Sequence, residues 1–348
     1  MKTNLFGLFL EEIVEQISAH RLEKYRAKQI AEWMYQHHAT SFAEMTTLSK
    51  KMQSLLDEHF TIERVTCVRE KVSADHKTVK FLFSFADGET AETVLMRQSY
   101  GNSVCLSTQV GCAMGCLFCA STLQGLKRNL TAGEILAQLL YVQKMLSEEG
   151  EHVTSIVLMG SGEPLTNYDN VVRFLRLCHE SYTMGLSYRS MTLSTCGVVP
   201  NIYRLAEEGL PITLSISLHA PNDAIRSEIM PINRKYQIDE LLAASEAYYN
   251  KTGRRITYEY TLIEDKNDMI SCAEELANRL RGQNANVNLI PVNPVVERGL
   301  HRPSLARINA FCDYLLKRKI QTTIRKEMGT DIDAACGQLR NQYMKQKK

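Results

Sequence analysis

TAGEILAQLLYVQKMLSEEGEHVTSIVLMGSGEP, residues 131–164, decides the fold. Thr131-Ala-Gly-Glu134 reads as a capping box, in which the threonine accepts from a free N–H and the glutamate reaches back to another. A helical pattern runs from there to about residue 149, and Gly150 closes it. TSIVLMG, residues 154–160, is a short, β-branched apolar run bounded by a glycine-rich turn, the pattern of a buried strand. A capped helix feeding such a strand is half of a βαβ unit.

The same alternation extends on both sides. SVCLSTQ (103–109), SMTLSTCG (190–197), ITLSISLH (212–219), ITYEYTLI (256–263) and VNLIPVN (287–293) read as further strands. Helical stretches fall near 131–149, 168–180, 200–208, 237–251, 268–281 and 303–318. Six βα units argue for an α/β fold on a parallel sheet, barrel-like or doubly wound. Ligands then bind at the C-terminal strand ends. Gly160–Pro164, Ser194, Ser217–His219 and Asn293 lie there. Taken singly, each of these reads equally as an ordinary polar residue at a strand end.

Upstream, residues 4–60 look helical, with Leu10, Ile13, Val14 and Ile17, then Ile30, Trp33 and Met34, at helical spacing. Strand-like runs follow at 64–72, 78–86 and 90–97, the last two joined by Asp87-Gly88, a hairpin signal.

The chain of 348 residues is 44% hydrophobic and 23% charged, so its core can stand without disulfides. No run approaches a membrane span, and the N-terminus lacks the features of a signal peptide, which predicts a cytoplasmic protein. Ten cysteines in that setting point to metal binding, catalysis or packing. Net charge is only +2, but residues 317–348 carry 9 basic and 3 acidic side chains, a solvated tail or a phosphate contact.

Cys112-Ala-Met-Gly-Cys116-Leu-Phe-Cys119 is the strongest local signal. A zinc site completed by a distant residue is one reading. Ordinary ferredoxin clusters use four cysteines, and here the local group has three. The spacing, with Phe118 before the last cysteine, resembles the radical SAM superfamily. That resemblance implies a [4Fe-4S] cluster with one open iron, which chelates S-adenosylmethionine. It also implies cofactor contacts from Gly162, Glu163, Ser194, Ser217, Leu218, His219 and Asn293.

Further motifs narrow this. VCLSTQVGCAMGCLFCAS, GLKRNL, SLHAPND, NLIPVNP and GTDIDAACGQL, starting at Gly329, closely resemble the RlmN/Cfr family of RNA adenine methyltransferases. Pro164 and SLHAPND favour the RlmN branch. The resemblance implies methylation of adenine C2 in 23S rRNA and tRNA; the Cfr alternative is C8. It implies a partial (β/α)6 barrel, over 101–328, with an N-terminal RNA-engaging unit at 1–62. A β extension at 63–100 and a C-terminal segment at 329–348 complete the expected organisation.

By the same resemblance, Cys336 accepts a methyl group, Cys105 resolves the resulting RNA adduct through a transient disulfide with Cys336, and Glu92 takes a proton. Apart from the resemblance, Cys105 reads as a packed strand cysteine and Glu92 as an exposed charge on a hairpin strand. Ser161 and Cys196 stand where the family is expected to have Met and Ser. A flavodoxin or ferredoxin is the expected electron donor, and the chain is expected to be a monomer. Lys127-Arg128, Arg254-Arg255, Lys317-Arg318-Lys319 and Arg325-Lys326 are candidate phosphate partners, with solvated surface charge as the alternative. A cluster- or zinc-bearing RNA-binding module without catalysis is the alternative of another class.

Overall fold

The structure, a computed structural model, describes residues 2–293, 298–326 and 338–347 together with Gly329 and Ile332. Cys336 lies outside the described residues.

The chain opens with a helical unit. Helices α1 (Leu10–Ser18), α2 (Arg26–Tyr35) and α3 (Lys50–His59) bury Ile13, Ile17, Ile30, Met34 and Leu56. A short parallel pair, β1 (Thr3–Asn4) with β2 (Phe60–Thr61), closes the ends of the unit on each other. Three strands follow as an antiparallel meander: β3 (Thr66–Val72), β4 (Thr78–Ser84) and β5 (Thr90–Gln98). Asp87-Gly88 turns the β4–β5 hairpin, with Gly88 N–H donating to Phe85 O.

The parallel region begins with β6 (Gly101–Cys105). A small antiparallel ribbon comes next, β7 (Gln109–Gly111) with β8 (Leu126–Asn129). Then come α4 (Ala132–Glu148), β9 (Val153–Leu158), α5 (Tyr168–His179), β10 (Met191–Thr195), α6 (Val199–Glu207) and β11 (Thr213–Ser217). They continue as α7 (Asp223–Ile229), α8 (Ile238–Thr252), β12 (Ile256–Leu262), α9 (Ile270–Arg279), β13 (Ala285–Pro291), α10 (Leu305–Lys317), β14 (Gln321–Ile324) and α11 (Gln338–Lys347).

The main sheet has ten strands in the order β14-β13-β12-β11-β10-β9-β6-β5-β4-β3. From β6 to β14 every neighbouring pair is parallel. That order never reverses, so there is no switch point of the doubly wound kind. Crossovers of one hand that all step the same way put their helices on one face, and the result is an open, barrel-like sheet. The sequence reading missed β14, a seventh parallel strand of mixed composition, and the β7–β8 ribbon. The meander is continuous with the parallel sheet, because β5 pairs antiparallel with β6.

Period-two alternation sorts the strand residues. Leu193, Leu214, Ile216, Tyr258, Tyr260, Val287 and Leu289 belong to the main apolar core under the helices. Ser194, Ser215, Ser217, Glu259 and Asn288 alternate with them and occupy the opposite, concave face.

Candidate active site

The cysteine loop hangs from the β7–β8 ribbon. Cys112 N–H donates to Gly125 O at 3.2 Å across its neck. Gly111 has φ +77°, and a Cβ there would sit 2.0 Å from the Gly125 carbonyl oxygen, so only glycine allows this closure. Inside the loop, Cys119 N–H donates to Cys116 O at 3.2 Å, and the Thr122 hydroxyl donates to Cys119 O at 2.9 Å. Leu117 N–H donates to Ile229 O, anchoring the loop to the end of α7.

Cys112 and Cys116 are buried and Cys119 is partly exposed. A second apolar cluster, separate from the main core, packs Cys116 with Ala220, Ile229, Met230, Ile263 and Val292. Met114, Leu117 and Phe118 of the loop lean on it. Burial pushes the Cys112 thiol up to about 12 and raises Cys116 further, and the neighbouring cysteines add to both. Thiols so placed become ligands only when a cation takes the proton's place. The donor set fits an iron–sulfur cluster: three cysteines on one short loop in an apolar sheath, with a buried Arg226 cation nearby.

The turn after β9 sits beside this loop. Gly162 has φ +109°, and a Cβ there would lie 2.6 Å from the Gln109 side chain. The glycine is therefore demanded by close packing on the ribbon, in addition to any approach of a ligand. Ser161 N–H donates to the Ser107 hydroxyl at 2.9 Å, and the Ser161 hydroxyl reaches Gly111 O at 3.4 Å. Serine at this position thus touches the residue before Cys112.

Glu163 is buried with its carboxylate turned into the protein. One oxygen accepts from Leu165 N–H at 3.0 Å and the Thr195 hydroxyl at 2.7 Å, and the other from Cys196 N–H at 2.7 Å. Burial raises its pKa despite these bonds. The carboxylate staples the β9 turn to the end of β10, so what the turn can offer a ligand is its backbone. Cys196 is buried against Glu163, and its thiol adds a hydrogen bond to that staple.

The remaining expected contacts converge at the same strand ends. Ser194 and Ser217 are half-buried on the concave face. Leu218 is buried in the main core; its N–H donates to Glu259 O and its carbonyl accepts from Arg226. His219 has φ +59°, and its Nδ1 accepts from Thr261 N–H at 2.8 Å. That bond puts the ring proton on Nε2. Burial pushes its pKa down to about 3, so it is neutral. Its ring meets Phe118 edge-on at 4.6 Å, joining the β11 end to the cysteine loop. Asn293 is exposed just past β13.

Glu92 and Cys105 share one face of the sheet. Val94 lies directly opposite Cys105, and Glu92 is two residues from Val94 on the same strand. Glu92 is only 4% exposed, which removes the surface-charge reading. One of its oxygens pairs with Lys80 Nζ at 3.1 Å, and the other accepts from Arg340 N–H at 2.7 Å in the first turn of α11. Asn341 Nδ2 donates to Ala120 O at 3.0 Å, so α11 also touches the residue after Cys119. No disulfide joins any two of the described cysteines.

Three residues escaped the sequence reading: Lys80, Arg226 and Glu259. Each is a buried charge at a position where the local pattern reads as an exposed one. For Lys80 and Glu259 the usable signal was inward alternation on a strand. Among the candidate phosphate partners, Arg128 is engaged by Asp87 and Glu134, and Arg318 by Glu274 and the Tyr314 hydroxyl.

A barrel-like parallel sheet with a three-cysteine loop at its C-terminal end defines a radical SAM protein. Residues 106–278 match the Radical SAM superfamily, and residues 3–62 match the ribosomal RNA large subunit methyltransferase N-terminal domain. A probable dual-specificity RNA methyltransferase RlmN of Clostridium tetani is 49% identical over 342 residues, covering 98% of this chain and 97% of its own. The corresponding protein of Geobacillus thermodenitrificans is 49% identical, covering 99% and 94%. A radical SAM methyltransferase from Sphaerobacter thermophilus superposes with a TM-score of 0.94 at 46% identity, over 97% of this chain and 98% of that one.

The chain belongs to the RlmN family of radical SAM RNA methyltransferases. The family implies a [4Fe-4S] cluster and S-adenosylmethionine. Among the described residues, no helix is long and apolar enough to cross a membrane.

Proposed function

We propose that the protein methylates C2 of an adenine in 23S rRNA, at the peptidyl-transferase centre, and C2 of an adenine beside the anticodon in tRNA. The supporting observation is the 2.7 Å bond from Arg340 N–H to Glu92. It ties the helix that begins two residues after Cys336 to the strand paired with that of Cys105. A methyl-carrying cysteine and a resolving cysteine need that proximity.

The chemistry supplies the reason for two cysteines. Adenine C2 lies between two ring nitrogens and is too electron-poor to attack a sulfonium methyl group. When bound, the cluster and S-adenosylmethionine supply the methyl group, an electron and the 5′-deoxyadenosyl radical. Cys112, Cys116 and Cys119 hold one cluster, and two S-adenosylmethionine molecules serve each turnover. They are held by Gly162, Glu163, Ser194, Ser217, Leu218, His219 and Asn293, with the Gly162–Glu163 turn contributing backbone.

Cys336 carries the methyl group as S-methylcysteine and, after losing a hydrogen, forms a methylene bridge to C2. Glu92 takes the C2 proton, and the electron that leaves with it would pass to the oxidised cluster held by Cys112, Cys116 and Cys119. Cys105, as the thiolate, attacks the Cys336 sulfur. The sulfur–carbon bond breaks with its electron pair going to carbon, and the released methylene takes a proton to become the C2 methyl group. A Cys105–Cys336 disulfide remains, which a two-electron thiol reductant returns to the free cysteines. Residues 1–62 engage the RNA, whose target base must be unstacked to reach the site. The chain acts in the cytoplasm as a monomer, reduced by a low-potential donor such as a flavodoxin or ferredoxin.

Mass spectrometry of rRNA and tRNA nucleosides, from cells with and without the protein, tests this. Loss of 2-methyladenosine on deletion is the expected result. Loss of 8-methyladenosine instead would assign Cfr-type chemistry and overturn the C2 reading.

A further inference from the structure

Arg226, on α7, is 0% exposed. Its Nε donates to Leu218 O at 3.0 Å. Nη2 donates to Cys196 O at 2.8 Å and to Ser217 O at 3.1 Å. Nη1 donates to the Asn233 side-chain oxygen at 2.9 Å, with Tyr236 O at 3.5 Å. One planar fork therefore spans the turn after β10, the turn after β11 and the segment after α7. All these partners are neutral oxygens; among the described residues no carboxylate bonds the guanidinium.

The nearby Asp223 carboxylate, on the same helix, reaches Arg226 only through Asn233, whose Nδ2 donates to Asp223 Oδ1 at 3.0 Å. A buried cation with no direct ion pair is costly, and folds keep one where something further compensates it. The cysteine loop offers a second compensating group. The loop between Cys112 and Cys119 hydrogen-bonds to Ile229 at the end of the same helix. Cys116 and Cys196 pack in one apolar cluster with Ile229. Each thiol lies close enough to feel the Arg226 charge. Three thiolates around a cluster would make this the most negative buried region of the site.

We propose that Arg226 is a positioning residue for the cofactor chemistry, with two separable roles. Its fork sets the β10 and β11 turns that present Ser194 and Ser217–His219, and its charge stabilises the reduced cluster. The proposal rests on reading Cys112, Cys116 and Cys119 as the cluster ligands.

Lysine separates the roles, because it keeps the charge and cannot span three carbonyls. The test uses the full chain, reconstituted anaerobically with iron and sulfide. S-adenosylmethionine binding is measured by equilibrium dialysis, and the cluster midpoint potential by an EPR-monitored redox titration. Arg226→Lys is expected to weaken S-adenosylmethionine binding about tenfold, as loss of charged hydrogen bonds does, with the potential kept. Arg226→Gln is expected to weaken binding similarly and to lower the potential, since the more negative reduced cluster loses its cation. Wild-type affinity in Arg226→Lys overturns the fork role, and an unchanged potential in Arg226→Gln overturns the charge role. If Arg226→Gln does not fold, as judged by circular dichroism, Arg226→Lys decides through its affinity. Wild-type protein that fails to assemble a cluster would instead count against the ligand reading.

Discussion

His219 is held neutral where a solvated histidine would begin to charge below neutrality. Its Nδ1 is occupied as an acceptor from Thr261 N–H, and burial pushes its pKa down to about 3. In the unfolded chain the ring titrates near 6.5. Between these values the unfolded state binds the extra proton, so stability falls as pH drops from about 6.5 towards 3 and is flat above. Melting temperatures across that range should therefore decline in the wild type and decline less in His219→Gln. His38, pushed down to about 4 by burial, leaves a residual slope in the variant. If the two profiles are parallel, His219 is not neutral in the fold. Individual residues differ in how far the sequence reveals them. Cys112, Cys116 and Cys119 are legible because their spacing is local. Arg226 is not, because a charge in a helix reads as exposed until the tertiary fold buries it, and Lys80 is signalled only by the alternation of its strand. Glu163 was half legible: its position was visible, but the direction of its carboxylate depends on Thr195 and Cys196, some thirty residues away.

The turn between β9 and the short helical segment at Pro164 is the element on which the site's shape depends. Gly162 there combines a left-handed backbone with direct contact on Gln109, whose side-chain oxygen accepts from Glu163 N–H at 2.8 Å. Gly162→Ala introduces both a strained φ and a Cβ with no room. It should cost about 2 kcal/mol, the range of a strained non-glycine position, measured by urea unfolding. Displacing Gln109 should also loosen the neighbouring cysteine loop. A variant as stable as wild type would mean that the turn can shift freely. Elements of this kind are only partly readable. The helix α4 and strand β9 announce themselves through a capping box and an apolar run. The β7–β8 ribbon does not, because its short strands carry polar and small residues and pair only once the loop between them has closed. Strand β14 escaped for a related reason: QTTI has no apolar alternation, and its place is fixed by β13.

Across the whole molecule, residues distant in sequence are drawn towards one concave face. Cys105 enters on β6, Glu92 on β5, and α11 returns from the C-terminus to put Arg340 N–H on Glu92. The buried Lys80–Glu92 pair fixes the carboxylate that receives α11, so β4, β5 and the C-terminal helix are tied together at one point. If Cys105 resolves the RNA adduct, removing it leaves earlier steps intact, because neither methyl transfer to Cys336 nor attack on C2 uses its sulfur. Cys105→Ala should then stall with RNA covalently attached. On denaturing gels a protein–RNA species should accumulate, survive heat and detergent, and disappear on nuclease digestion. Methylated RNA should fall at least about a hundredfold, as expected when a group acting only in a late step is lost. Cys336→Ala should give neither adduct nor product, since the methyl group has no acceptor. The double variant should match Cys336→Ala, which separates a true adduct from adventitious crosslinking. Normal turnover by Cys105→Ala would assign Cys105 to packing on β6 and leave resolution to another group on this face.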